Sequence, residues 1–291
     1  MEFIQQLING LALGSVYALL ALGYTMVYGI IQLINFAHGE IYMIGAFAGF
    51  YSASVLGLPL IPTLLIAMVV TALAGIIIEK IAYKPLRKSP RITLLITAIG
   101  VSLFLQNAMR LLVGSSPKPF PDLINAGTLD IGSIQIDIKT VLMFGVSALL
   151  VIILQSVVYK TKMGKAMRAS SQDMEAASLM GINVNNTISF TFAIGSALAG
   201  IAGVLVAISY PSIIFNMGAM PGLKAFVAAV LGGIGSIPGA LVGGLAIGLL
   251  ETLSKAYIST NFSDAIVFAV LIIILLIKPS GLLGKKTNEE V

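Results

Sequence analysis

The sequence predicts an all-α polytopic membrane protein with about eight or nine transmembrane helices, and its composition and apolar runs lead to this fold class. Of the 291 residues, 58% are hydrophobic and only 10% are charged, whereas a soluble globular protein is about a quarter charged. The mean hydropathy is +1.02. Long apolar runs recur along the chain, and about 20 apolar residues suffice for one helical crossing. This composition excludes a soluble domain, a disordered chain and, with no Cys present, a disulfide scaffold.

Nine apolar runs define the predicted spans, and the seventh is too short to cross a bilayer alone. They lie at approximately residues 9–31, 36–56, 60–82, 92–113, 140–159, 188–210, 223–233, 238–254 and 264–278. No low-complexity tract or domain boundary interrupts them. Residues 1–291 are therefore predicted to form a single transmembrane domain, with membrane lipid as its surroundings.

The basic residues predict the orientation of the chain, because short loops rich in Lys and Arg stay on the cytoplasmic side. They cluster in two loops and a tail, with Lys84, Arg87, Lys88 and Arg91 in the first loop, Lys160, Lys162, Lys165 and Arg168 in the second, and Lys278, Lys285 and Lys286 in the tail. This pattern predicts an N-terminus outside and a cytoplasmic C-terminus. Three crossings after residue 211 fit it better than a re-entrant hairpin plus two. The largest outer segment is then about 114–139, and the largest inner segment about 160–187. The net charge of +5 reflects topology, and no nucleic-acid partner is expected.

Small residues recur at every fourth position in several runs, which lets helix backbones approach closely in lipid. The glycines assigned to helix packing on this ground are Gly10, Gly14, Gly45, Gly49, Gly235, Gly239 and Gly243. A second interpretation applies to the last group. The stretch from Gly232 to Pro238 could instead be a broken helix that borders a cavity.

Three polar residues, Asn35, His38 and Glu40, stand at the start of the second run. They could line the inner part of a translocation path, since ionisable residues within spans usually face protein or water. Alternatively they lie at the membrane interface, where Asn35 would cap the helix. A single His is too little for a metal site, so none is expected. Glu251 and Lys255, one helical turn apart, have the spacing of an ion pair.

The inner segment 160–187 is too charged to cross the membrane and longer than a simple connector needs to be. Its pattern predicts two short helices, with Ser170 and Ser171 as candidate caps of the second. Such a segment suits the groove of a partner protein. A solvated amphipathic connector is an equally good interpretation of the pattern alone.

Within this segment, the run Glu175, Ala176, Ala177, followed after three residues by Gly181, resembles the EAA loop of ABC importer permeases. The wider stretch from Gly164 to Val184 is similar to the form found in branched-chain amino acid permeases of the LivH type. Two further stretches resemble signatures of that family. They are GLALGSVYALLALGYTMVYG with NFAHGE near the N-terminus, and GGIGSIPGALVGGLAIG near the C-terminus.

The resemblance implies a permease subunit of an ABC importer for branched-chain amino acids in the bacterial inner membrane, working by alternating access. It implies ATP-binding subunits, a second homologous permease chain and an external substrate-binding protein as partners. Neither enzymatic activity nor a cofactor is expected in this chain, and no phosphate-binding GxxxxGK[ST] pattern occurs in it. The residues expected to couple to the ATPase are Arg168, Asp173, Glu175, Ala176, Ala177 and Gly181. A permease for another small solute such as urea, a secondary transporter and a passive channel remain alternatives.

Overall fold

Helices make up most of the computed structural model, which describes residues 2–87, 89–124, 127–131 and 134–284. In chain order they are α1 (Glu2–Ile31), α2 (His38–Ser54), α3 (Leu60–Ile78), α4 (Arg91–Val113), α5 (Ile138–Lys160), α6 (Lys162–Gln172), α7 (Met174–Leu179), α8 (Val184–Ser209), α9 (Ala219–Gly232), α10 (Ile237–Tyr257) and α11 (Ser263–Ile277). A π-helical turn (Glu79–Tyr83) and a 3₁₀ turn (Lys84–Leu86) extend α3. Of the basic residues used to orient the chain, Lys88, Lys285 and Lys286 lie outside the described residues.

The predicted all-α membrane fold is confirmed. By length and composition, six helices of the described chain can each cross a membrane: α1, α3 with its extension, α4, α5, α8 and α10. The helices α9 and α11 are apolar but shorter, and α2 has 17 residues. The outer faces of α3 and α4 expose large apolar side chains, such as Leu73 and Ile96, as expected of surfaces that face lipid or another membrane chain.

The centre of the bundle is formed by α1 and α8, which are buried along most of their length. A helix that is apolar on all sides is stable only when other apolar surface surrounds it. α1 packs against α5, α8, α9 and α10, while α8 packs against α1, α2 and α3. Helix α1 is therefore enclosed by helices that follow it in the chain.

Four of the glycines predicted to mediate packing lie at the contacts of α1 with α10 and of α2 with α8. A Cβ at Gly10 would lie 3.0 Å from the Leu249 side chain, and one at Gly14 would lie 2.8 Å from the Leu245 Cα. A Cβ at Gly45 would lie 2.5 Å from the Gly200 carbonyl oxygen. At Gly49 it would lie 2.6 Å from the side chain of a valine on α8. At Gly14 and Gly45 the added Cβ would meet backbone atoms, so only hydrogen fits there, whereas at Gly10 and Gly49 a neighbouring side chain would have to shift.

The remaining three predicted glycines lie at and after the connection from α9 to α10. A Cβ at Gly239 would overlap the Gly232 carbonyl, and one at Gly243 would overlap the carbonyl of a residue on α9. Gly235 differs from them. Its φ is +92° and a Cβ there would meet no atom within 4 Å, so glycine is needed for the backbone conformation rather than for packing. The segment around Gly235 is a turn between two helices, which explains the helix break considered for it.

The two ends of the bundle carry different connections. At the end called the hairpin end, β2 (Thr128–Ile131) pairs with β3 (Ile134–Asp137), and β1 (Lys118–Pro119) pairs with β4 (Ser212–Ile213). The Lys139 ammonium lies 3.2 Å from Asp122 at this end and, by hydrogen bonding to it, lowers the pKa of that carboxyl. The opposite end, called the α7 end, carries α6, α7 and the turns after α3. These ends correspond to the predicted outer and inner segments.

Candidate translocation site and coupling surface

The candidate coupling surface is the pair α6 and α7, which forms the two short helices predicted from the sequence. Thr161 caps α6 by accepting the Gly164 N–H at 3.0 Å. The cap of α7 is Asp173, whose Oδ1 accepts the N–H groups of Glu175 and Ala176 at 2.8 and 2.9 Å. The expected capping of α7 by Ser170 and Ser171 is thus wrong. A carboxylate directly before the helix reaches its free N–H groups, whereas the two serines belong to α6.

Gly181 ends α7 in the conformation that a short helix needs in order to stop. Its φ is +82°, and the Ile182 N–H returns to the Ala177 carbonyl at 3.0 Å. Ala177 is buried, whereas Glu175 and Ala176 are exposed. The tip of α7 presents two apolar side chains, Leu179 and Met180, which are 88% and 83% exposed. An exposed apolar tip on a capped helix is a suitable contact for another protein.

Arg168 attaches this surface to the membrane-spanning part of the chain. Its guanidinium donates to the Val158 carbonyl and lies over the Tyr159 ring at 5.4 Å, both near the end of α5. At the other side of α7, Asn183 caps α8 by accepting the Asn186 N–H at 3.1 Å. The pair α6 and α7 is thus linked to the end of α5 and to the start of α8.

Removing the cap of α7 provides a test of this local arrangement. Asp173→Ala should cost the helix about 1 kcal/mol, because two N–H groups lose their acceptor, whereas Asp173→Asn retains an acceptor and should cost less. Hydrogen exchange of the α7 amides measures the difference. Equal protection in the two variants would contradict the assigned cap.

The candidate translocation site lies where two helices begin inside the bundle. After α1 the chain turns at Gln32, whose φ is +50°, and residues 33–37 return into the bundle without helical structure before α2 begins at His38. The start of α9 lies against the start of α2, since a Cβ at Gly39 would lie 2.5 Å from the Gly218 carbonyl. Two helix N-termini therefore meet within the bundle.

The depth of this meeting point follows from its contacts. Glu40 accepts a hydrogen bond from Ser102, near the middle of α4, and the His38 ring packs on Gly23. Gly23 in turn lies against Gly195, near the middle of α8. His38 and Glu40 are therefore at mid-bundle, which argues against the alternative that they lie at the membrane interface. The non-helical return of the chain after Gln32, which periodicity does not reveal, carries them inward.

The three predicted path residues are buried but do not form one cluster. Asn35, His38 and Glu40 are each no more than 2% exposed. Asn35 accepts from the Tyr83 hydroxyl at 2.6 Å and from the Ala37 N–H at 3.1 Å, toward the α7 end. It does not cap α2, because Ala37 occupies the cap position.

The Glu40 carboxylate is held at mid-bundle by one oxygen only. Its Oε1 accepts from Ser102 at 3.1 Å and from the Gln106 amide at 2.7 Å. Within the described chain, Oε2 has no hydrogen-bond partner, and the same holds for His38 Nε2. The His38 ring contacts the Tyr24 ring edge-on at 4.8 Å. Glu40 borders a crevice between α4 and the start of α9.

A second group of buried charges joins α1, α9, α10 and α11 nearer the hairpin end. The Glu251 carboxylate, 2% exposed, accepts from Lys224 at 2.8 Å and Lys255 at 2.5 Å. It also accepts from the Tyr17 hydroxyl at 2.7 Å, and Lys224 contacts Asp264 at 2.6 Å. The predicted pair of Glu251 with Lys255 is confirmed. Sequence reasoning missed the role of Lys224, although a lysine within an apolar run calls for a buried carboxylate on another span.

The fold and these sites define a polytopic membrane protein, with two helices that begin at mid-bundle and a pair of short helices exposed at one end. Residues 6–275 match the family model described as "Branched-chain amino acid transport system / permease component". The chain is 46% identical to the high-affinity branched-chain amino acid transport system permease protein LivH of Escherichia coli K12, over 99% of this chain and 98% of that protein. It is 44% identical to the corresponding protein BraD of Pseudomonas aeruginosa, over 100% and 98% of the two chains. The chain belongs to this branched-chain amino acid transport permease family.

A solved structure has the same overall fold. PsaBC from Streptococcus pneumoniae, solved in complex with Fab, superposes with a TM-score of 0.53 at 18% identity and covers 96% of this chain and 93% of that chain. At this identity the likeness concerns the fold alone. The resemblance predicted from the sequence motifs is confirmed by the family match, and the chain is a multi-pass membrane protein.

Proposed function

We propose that the chain is the transmembrane permease subunit of an ABC importer that carries branched-chain amino acids across the bacterial inner membrane. The full-length similarity to LivH and BraD supports the substrate class. The observation that carries the importer mechanism is the exposed, capped α7 with its apolar tip, attached through Arg168 to α5. A secondary transporter does not require a contact surface for ATP-binding subunits.

The proposed partners follow from the same arrangement. ATP-binding subunits contact α7, with Arg168, Asp173, Glu175, Ala176, Ala177 and Gly181 forming or positioning the contact. A second homologous permease chain covers part of the exposed apolar surface, and a substrate-binding protein docks at the hairpin end. ATP is bound by the partner subunits, and this chain contributes neither a cofactor site nor an enzymatic activity. The N-terminus then lies outside and the C-terminus in the cytoplasm.

In the proposed mechanism, closure of the ATPase pair displaces α7. Because Arg168 bonds to the end of α5 and Asn183 caps α8, both helices move with it. α8 packs against α1, α2 and α3, so its displacement reaches the mid-bundle site around Glu40. Alternating access results when this site opens first to one end of the bundle and then to the other.

Co-purification tests the proposal. The solubilised chain, expressed with its ATP-binding subunits, should recover them, and Gly181→Arg should abolish recovery because the side chain is strained at φ +82° and occupies the contact. Glu175→Ala should reduce recovery. Gly57→Arg is the matched control, since Gly57 also has positive φ and open surroundings but lies between α2 and α3.

The control should recover ATPase at the wild-type level. Undiminished recovery in Gly181→Arg would remove α7 from the contact. A wild-type chain that transports under an ion gradient, without ATPase subunits, would contradict the importer function itself.

A further inference from the structure

The crevice beside Glu40 has both an apolar wall and a buried carboxyl group. Its wall includes Phe36, Ile99, Leu103 and Leu223, and Glu40 and Ser102 border it. It opens on the surface of the single chain between α4 and the start of α9, where Leu103 is 54% exposed. An aliphatic side chain could lie against this wall.

Glu40 is an unusual residue to find at this depth. It is 1% exposed, and no Lys or Arg of the described residues forms a salt bridge with it. The two donors that reach it, Ser102 and Gln106, are neutral and bind the same oxygen. A buried carboxylate at mid-membrane is costly unless a cation or several donors accompany it. The described residues therefore supply no cation to the free oxygen Oε2.

The start of α9 brings partial positive charge to the crevice that Glu40 borders. Gly218 and Ala219 border it; the Ala219 N–H donates to the Asn216 carbonyl at 3.2 Å and Pro221 has no N–H, so what this helix start brings to the crevice is the partial positive charge of its dipole. Gly222, one turn further, lies against Gly39, where a Cβ would be 2.7 Å from the Gly39 Cα. This close contact fixes the helix start beside Glu40. A carboxylate acceptor and a helix N-terminus thus border one apolar crevice.

We propose that this crevice is a binding site for the zwitterion of an aliphatic amino acid during translocation. The ammonium group of the substrate bonds to Glu40, its carboxylate faces the start of α9, and its side chain contacts Ile99, Leu103 and Leu223. The inference rests on the proposed function for the class of substrate and adds the residues that recognise it. Such a site also distinguishes amino acids from urea, which has no ammonium group for Glu40 to bind.

Binding to the solubilised permease tests the role of Glu40 directly. The probes are leucine and 4-methylpentanoate, which has the same side chain and carboxylate but no ammonium group. Saturation-transfer NMR should give a stronger signal for leucine in the wild-type chain. In Glu40→Gln the leucine signal should fall to that of 4-methylpentanoate, whose own signal should stay unchanged. Equal signals for the two probes in the wild type would overturn the proposal.

Uptake by the complete importer in proteoliposomes gives a second readout. Glu40→Gln should lower the initial rate of ATP-driven leucine uptake about tenfold or more, since a charge-assisted hydrogen bond is lost. Co-purification of the ATPase subunits should remain at the wild-type level, which a merely structural role of Glu40 would not predict. Wild-type uptake by this variant would overturn the site while leaving the importer function intact. Failure of the wild-type chain to assemble or transport would instead count against the proposed function, and the NMR comparison would still decide the site.

A pair of variants on α4 tests the apolar wall without altering any charge. Leu103→Ala enlarges the crevice and should change the ratio of leucine to valine uptake, whereas Phe104→Ala, at an exposed neighbouring residue outside the wall, should not. The same binding protein is used throughout, so a changed ratio originates in the permease. An unchanged ratio in Leu103→Ala would place the substrate elsewhere.

Discussion

Replacing Lys224 by methionine should destabilise the protein strongly, by about 3 kcal/mol or more. The side chain is 6% exposed and neutralises Glu251, which is 2% exposed, at 2.8 Å. Its loss leaves the buried carboxylate with one fewer cation and removes the contact with Asp264. Thermal unfolding of the purified chain in detergent measures the effect, which should appear as a lower Tm.

Lys255→Met is the matched control, because it removes the other ammonium group on the same carboxylate. Lys255 lies 2.5 Å from Glu251 but is 42% exposed, so water competes for the charge and the loss should stay below about 1 kcal/mol. Equal decreases in Tm for the two variants would show that burial does not govern the strength of this network.

Gly45→Ala should also lower the stability markedly, although it adds a single methyl group. The new Cβ would lie 2.5 Å from the Gly200 carbonyl oxygen, and two backbones cannot both keep their positions at that distance. Separating α2 from α8 should cost about 1–3 kcal/mol, the range found for overpacked cores. The Tm of the detergent-solubilised chain measures this cost.

Gly100→Ala controls for the change in helix propensity. Gly100 lies within α4, and a Cβ there would meet no atom within 4 Å. Because alanine favours a helix by about 1 kcal/mol over glycine, this variant should be as stable as the wild type or more so. A decrease in Tm as large as that of Gly45→Ala would mean that packing against Gly200 is not the cause.

Much of the fold was predictable because apolar run length and helix length are governed by the same membrane thickness. The predicted runs 92–113 and 188–210 correspond closely to α4 and α8. The two helices of the coupling segment were also predictable, since their charges exclude the membrane. Gly235, by contrast, shares its spacing with true packing glycines, and spacing alone does not separate a turn from a helix contact.

The mid-bundle site was only partly predictable. Asn35, His38 and Glu40 were identified by their polarity, but their depth depends on the non-helical return after Gln32, which leaves no periodic signal. The partners Ser102 and Gln106 come from a span about 60 residues later. Polar residues within an apolar run usually form hydrogen bonds with neighbouring helices. The sequence does not indicate which carboxylate Ser102 and Gln106 bind. The same holds for Lys224 and Glu251.

The non-helical return of residues 33–37 also bears on when the contacts of the mid-bundle site can form. The start of α2 rests on Gly218 and Gly222, which the ribosome adds about 180 residues later. The packing that holds His38 and Glu40 at mid-bundle is therefore complete only when the last third of the chain has been made.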